Sequence, residues 1–487
     1  MQFAPVFRAA TVLFFSASAS VAVAEPATSD GADALTGVFE TYLGAVDGVV
    51  SVLPQGDSYS LTLDFNPLIA LIPDAGATAR ITPFMFDLTD QGDGTWRMTQ
   101  DQPISMTVMV PDQLDLSVTV GRFTSQGVFD ESLSAFSSSG SELTDIAVTQ
   151  AITTPLEGRT RVTYSVESGR YESRATASGL GGVDVTSSYG LTGVSEIFTL
   201  PAMDGSSTPI GMSMTAEAYT ASGKMTGLRP DALYKLVAFV VSHPSQAALV
   251  ADQVALKSIV KDGLPLFSNL KSTGTVTNIT VGSPVGAFGL AEAGIEVEAN
   301  GIVADGMVRE AFSLSGLTLP EGLVPDWALA LVPDSLVLDF QVARFDLAAP
   351  AAMLLDAIDL AAAEPVDPAM AATLLAALLP EGAVDITMAP GHVTSGIYDL
   401  RFEGAMSAGP AAPPTGKATI TALGIAGVRA ALTAAPAEIG MQIAPLLAMA
   451  QGMAKPGPDG SLIWEIDATR PGTLLINGVD MMTMGAQ

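Results

Sequence analysis

The sequence predicts an α+β protein: long antiparallel strands forming one or two curved sheets, with Ala/Leu-rich helices packed on them. Three observations lead there. From about Tyr59 to Leu228 apolar and polar residues alternate almost without a break, the period of strands with one wet face. Beyond that point the two-residue period gives way repeatedly to a helical one, rich in Ala, Leu and Met. Charged residues are only 15% of the chain, against a usual ~25%, while apolar residues reach 48%.

The first 24 residues read as a cleavable secretory leader. Arg8 precedes the apolar core Ala9-Ala10-Thr11-Val12-Leu13-Phe14-Phe15, and small residues follow up to Ala22-Val23-Ala24. This is the order a signal peptidase reads, with Ala22 and Ala24 as the small residues and Glu25 as the first mature residue. The core is too short for a bilayer span, which needs about 20 residues. The organisation expected is therefore a leader at 1–24, a β-rich half at 25–228, and a mixed helix/strand half at 229–487 continuous with the first.

Residues 25–33 read as a polar, flexible lead-in and 34–46 as a helix. Phe84, Phe86 and Leu88 alternate with Met85, Asp87 and Thr89, and Gln91-Gly92-Asp93-Gly94 supplies a hairpin turn. Val162, Tyr164 and Val166 alternate in the same way. The pattern then breaks at Ser168-Gly169, read as a turn, and Tyr171, Ser173 and Ala175 return. Leu233, Leu236, Val237 and Val240 follow a helical period broken at His243-Pro244 and resumed to Gly263, a helix stop. Strands are expected at 273–315 and 335–345, and helices after Pro350 and from Pro368. A Pro/Ala/Gly loop is expected at 409–416, a last helix at 436–453, and a closing hairpin carrying Leu462, Trp464 and Ile466.

Two short stretches echo each other, Thr124-Ser125-Gln126-Gly127-Val128-Phe129-Asp130 and Thr394-Ser395-Gly396-Ile397-Tyr398-Asp399. Larger blocks carry a family likeness. Leu331-Val332-Pro333-Asp334-Ser335-Leu336-Val337-Leu338-Asp339-Phe340, the helix after Pro350, and the closing Leu462-Ile463-Trp464-Glu465-Ile466 with Ile476-Asn477-Gly478 resemble an uncharacterised alphaproteobacterial envelope family, domain of unknown function 2125. The resemblance implies an exported periplasmic protein and carries no catalytic residue with it.

Composition excludes several chemistries. There is no cysteine, so disulfides, thiol nucleophiles and cysteine-ligated metals are out. A net charge of −30 makes nucleic acid a poor partner. Arg122 and the cluster Arg159, Arg161, Arg170 and Arg174 read as a solvated strand face. Only two histidines exist, His243 and His392, each read as structural or merely exposed. The acids Asp90, Asp93 and Asp101 match a calcium loop only loosely, and Asp356 and Asp359 read as a solvated helix face. Met441, Met449 and Met453 read as filling in a loose core.

No catalytic, cofactor-binding or metal site is expected. The function expected is a non-enzymatic periplasmic protein holding a lipid-like amphiphile or an envelope partner in an apolar groove. The alternatives are a ligand-free envelope scaffold and, more weakly, an envelope-polymer hydrolase. An outer-membrane barrel is disfavoured by its missing aromatic girdles.

Overall fold

The structure is a computed structural model that describes residues 26–71, 76–154, 158–201, 210–362, 368–470 and 472–481. The expected leader lies outside the described residues, and with it the expected cleavage positions Ala22, Ala24 and Glu25.

The chain begins with α1 (Ser29–Leu43), β1 (Val50–Gln55), β2 (Ser58–Leu63), α2 (Asn66–Ala70), β3 (Thr78–Ile81) and β4 (Phe84–Asp90). Six long strands follow: β5 (Thr95–Val110), β6 (Leu114–Asp130), β7 (Ala135–Thr154), β8 (Gly158–Ala177), β9 (Val183–Leu200) and β10 (Ile210–Leu228). Then come α3 (Pro230–Ser242), α4 (Gln246–Ala251), α5 (Gln253–Gly263), β11 (Asn269–Ser283), β12 (Gly286–Asn300), β13 (Gly306–Ser315), α6 (Asp326–Leu329) and β14 (Ser335–Phe345). The remainder is α7 (Ala348–Ala357), α8 (Ala371–Leu378), β15 (Val384–Thr394), β16 (Asp399–Gly409), β17 (Ala412–Leu423), α9 (Ile425–Thr433) and α10 (Ala437–Met453). Four short strands close the chain: β18 (Lys455–Pro456), β19 (Leu462–Asp467), β20 (Leu475–Ile476) and β21 (Val479–Asp480).

All 21 strands belong to one antiparallel sheet. It is a meander: β5 to β16 each pair with the strand before and after, β17 pairs with β16 and β19, and the β10–β11 ladder carries the sheet from the first half into the second. β1–β2–β4 extend it on one side and β19–β20–β21 on the other. No pairing among the described residues joins β1 to β20 or β21.

This corrects the expected α+β fold with helices packed on the sheet. One large sheet dominates, and beyond α1 the helices gather at its rims. The pairs α1–α3, α3–α5, α5–α7 and α7–α8 touch in succession, and α6, α9 and α10 form a second group. Topology is the reason. α3–α5 and α7–α8 are inserted where β10 and β14 end, at one rim, while α6 and α9–α10 sit where β13 and β17 end, at the other. A helix inserted between adjacent antiparallel strands leaves and re-enters the sheet at one end, so its apolar side meets the neighbouring insertion.

The exception is α1. Thr28 caps it by accepting the Gly31 N–H, so the helix starts inside the stretch expected to be flexible. Ala32 and Leu35 bury against Val52, Tyr59, Leu61 and Leu88, with Trp96 and Met98 packed alongside. Two local expectations also fail. Residues 409–416 are not a loop: β16 ends at Gly409, residues 410–411 make a tight turn, and Gly409 already pairs with Ala412 at the start of β17. Ser168-Gly169 is no turn, because β8 runs straight through it.

Candidate ligand-binding face

Residues directly opposite each other in a ladder share a face of the sheet, so lateral rows can be followed from strand to strand. One row runs Met106, Val118, Val148, Tyr164, Glu196, Met214, Val281, Phe288 from β5 to β12. Another runs Phe123, Leu143, Gly169, Leu191, Tyr219, Val276, Ala293, Leu314 from β6 to β13. Between them lie Ile146, Val166, Val194, Ala216 and Ile279, which pack as one cluster. This face is apolar. The opposite face carries Ser, Thr and charge, including Arg161, Arg170 and Arg174, as the solvated-face reading expects.

The two outer rows would fall on opposite faces if each strand alternated strictly. They do not, because every strand from β6 to β12 slips by one residue at the same level. Face residues there stand three apart instead of two: Val120 then Phe123, Leu143 then Ile146, Val166 then Gly169, Leu191 then Val194, Ala216 then Tyr219. Both strands of each ladder take this step together, so the register is unchanged across it and the ladder is interrupted with no extra residue on either strand. Asp145, Gly193 and Asn278 adopt left-handed φ of 54°, 62° and 50° on alternate strands. At Gly193 a Cβ would stand 2.4 Å from Glu167 Cγ, so glycine is required there by both conformation and contact. The broken alternation at Glu167-Ser168-Gly169 is this crease. Sequence reading saw the break and gave it the wrong cause.

The apolar face is concave. Val166, Val194 and Ala216 are 2%, 8% and 6% exposed, yet no helix residue belongs to their cluster. Side chains of the same sheet bury them, which requires the face to curl inward. Away from that line the trough stays open: Met212, Ile295, Phe312 and Phe340 are large apolar side chains exposed on this face.

Four of the eight tyrosines, Tyr164, Tyr171, Tyr189 and Tyr219, lie in the trough on β8 to β10. Tyr189 and Tyr219 meet edge to face with ring centres 5.9 Å apart. Burial, and then the Glu196 carboxylate, raise the Tyr164 hydroxyl above the usual phenol range. Burial raises Tyr189 as well, with Tyr164 and Tyr219 adding to it. Glu196 is directly opposite Tyr164 on one side and Met214 on the other. Among the described residues it is the one charged side chain on this face from β5 to β12.

The residues singled out in sequence are elsewhere. His243 closes α3, stacked on Phe239 with ring centres 4.0 Å apart and bonded to the Phe239 carbonyl at 2.7 Å and Asp252 at 2.9 Å. His392 lies on the polar face, its Nε2 3.0 Å from Ser335 Oγ, beside a shallow cleft of about 490 Å³. Arg401 in that cleft is held by Asp399. Asp101 pairs with Arg122 at 2.7 Å, and Asp90 and Asp93 cap their own turn. Asp356 and Asp359 are not simply solvated: Lys261 pairs with Asp356, and Gln253 donates to Asp359, which joins α5 to α7. Among the described residues no group of three or more His, Asp or Glu side chains could hold a metal ion. No described helix is long and apolar enough to cross a membrane. Met441, Leu446 and Met449 of α10 are exposed rather than core.

No family model matches the chain, and no curated protein matches it. Among solved structures it is similar to a variant of the ferric enterobactin receptor PfeA of Pseudomonas aeruginosa, at 10% identity and a TM-score of 0.17, covering 75% of this chain and 64% of that one. It is also similar to the siderophore receptor PirA of Acinetobacter baumannii, at 8% identity and a TM-score of 0.16, covering 75% and 56%. The chain thus spans less than two thirds of the length of these receptors. At such TM-scores nothing about its fold or ligand rests on them.

Proposed function

We propose that this is an exported, periplasmic, non-enzymatic protein that holds an amphiphile with its hydrocarbon chains lying along the concave apolar face. One observation carries the reading: an apolar trough spans β6 to β12, kept continuous across a crease, and no helix packs into its central cluster. Strands of 15 to 20 residues make such a trough roughly 50–70 Å long, room for several acyl chains. Apolar surface of that extent and continuity marks a binding surface on a protein that must stay soluble. The leader at 1–24 and the resemblance to the envelope family support the periplasmic placement.

Adjacent residues on opposite faces provide the test. The chain purified from its own compartment is expected to carry a stoichiometric amphiphile in native mass spectrometry. Val148→Asp, which sets a charge into the trough, is expected to lower the bound fraction about tenfold. Thr149→Asp, one residue along on the polar face, should leave it unchanged. A clean ligand-free mass for the unaltered chain would remove this reading and favour a scaffold.

A further inference from the structure

Within the proposed amphiphile trough, on which this inference rests, one position is chemically unlike the rest. Among the described residues, seven neighbouring strands contribute aliphatic, aromatic and uncharged polar side chains to the face, and Glu196 alone contributes a charge. It makes no hydrogen bond or ion pair with another described residue. Its ladder neighbours are Tyr164 and Met214, neither of which neutralises it. A carboxylate facing an apolar surface is costly unless it is paired, and filling the trough with hydrocarbon would strip away the water that solvates it. The occupant must therefore bring its own counter-charge to this point.

We propose that Glu196 is the head-group anchor of the trough and selects amphiphiles whose head group carries an ammonium. Tyr164 is its immediate partner in the site. The ring of Tyr164, directly opposite on the neighbouring strand, and the Glu196 carboxylate together make an aromatic and anionic pair of the kind that attracts organic cations. An anionic head group would meet Glu196 as a like charge at the same point. With hydrocarbon rows running both ways along the strands from Glu196, the head group sits within the trough and its chains lie alongside.

The test compares lysophosphatidylcholine with lysophosphatidylglycerol of the same acyl chain, as competitors for a fluorescent fatty-acyl probe on the full mature protein. Lysophosphatidylcholine is expected to compete about tenfold better, the size of one partly desolvated cation contact. Glu196→Gln keeps the shape and removes the charge. It should bring the two lipids to within about twofold while the probe still binds. Tyr164→Phe, which keeps the ring, should retain the preference. Equal competition by both lipids on the unaltered protein, or a preference that survives Glu196→Gln, overturns the anchor and leaves the trough standing. Failure of the probe and both lipids to bind overturns the trough itself.

Discussion

The corner of the sheet beneath α1 and the trough between β6 and β12 are made of the same kind of strand, yet they bury their apolar face in different ways. At the corner a helix supplies the second layer: Leu61 is 1% exposed, with Ala32 and Leu35 of α1 in the same cluster. In the trough the second layer is missing, and only the central line around Val166 and Val194 is sealed, by curvature. A covered face gives stability, because each side chain is surrounded. A curled, uncovered face gives up part of that stability and keeps a surface available to a ligand. The division follows from where helices enter the chain. α1 precedes the first strand and can lie back over it, whereas later helices are tied to the rims.

The comparison can be broken most directly by matched truncations. Leu61→Ala should cost about 2–5 kcal/mol in chemical denaturation. Leu191→Ala, the same change on the trough face, should cost roughly half as much, since its side chain is only half-buried. Equal losses would mean the trough is as well covered as the corner. Gly193→Ala tests the crease and should cost about 1–2 kcal/mol, from the left-handed backbone alone. No loss there would mean that the crease relaxes and the continuous face with it. The smallest effect concerns the rim. The Phe239 carbonyl, then Asp252, raise the imidazole of His243 above its ordinary value. Its contribution is therefore fully present below about pH 6.5, the unfolded value, and is lost as pH rises through the raised folded value. Protection factors in α3 and α4, which divide out base-catalysed intrinsic exchange, should fall as pH rises above about 6.5, and His243→Gln should flatten that dependence. An unchanged slope in the variant would assign the effect elsewhere.

Much of the element list was legible in sequence. β14 occupies 335–345 as read, α3 to α5 fall on either side of His243-Pro244, and α10 ends at Met453 as expected. These are long periodic runs with strong punctuation. The number of layers was not legible. Leu374 and Leu375 of α8 advertise an apolar helix face, but periodicity does not say whether that face meets a sheet or another helix. The candidate face was half legible: the alternation in β8 was visible on both sides of Glu167. A crease within a strand and a turn between strands both interrupt a two-residue period, and one strand alone cannot separate them. What could have done so is recurrence. The same three-residue step is present in β6, β7, β9 and β10, where no turn chemistry accompanies all of them. Glu196 had no signal of its own, since its isolation exists only after seven strands are laid side by side.

The crease also serves as an alignment mark. In a meander of long strands with Ser/Thr on one side and aliphatic residues on the other, a hairpin could pair two residues out of step and still look acceptable. Here each strand carries its irregular step at one fixed height. A strand displaced by two would press Asp145 or Glu167 into a neighbour's regular ladder and leave Gly193 facing the wrong residue. Each newly added strand is thus checked against the one before it, and the error is detected locally, before the sheet is complete.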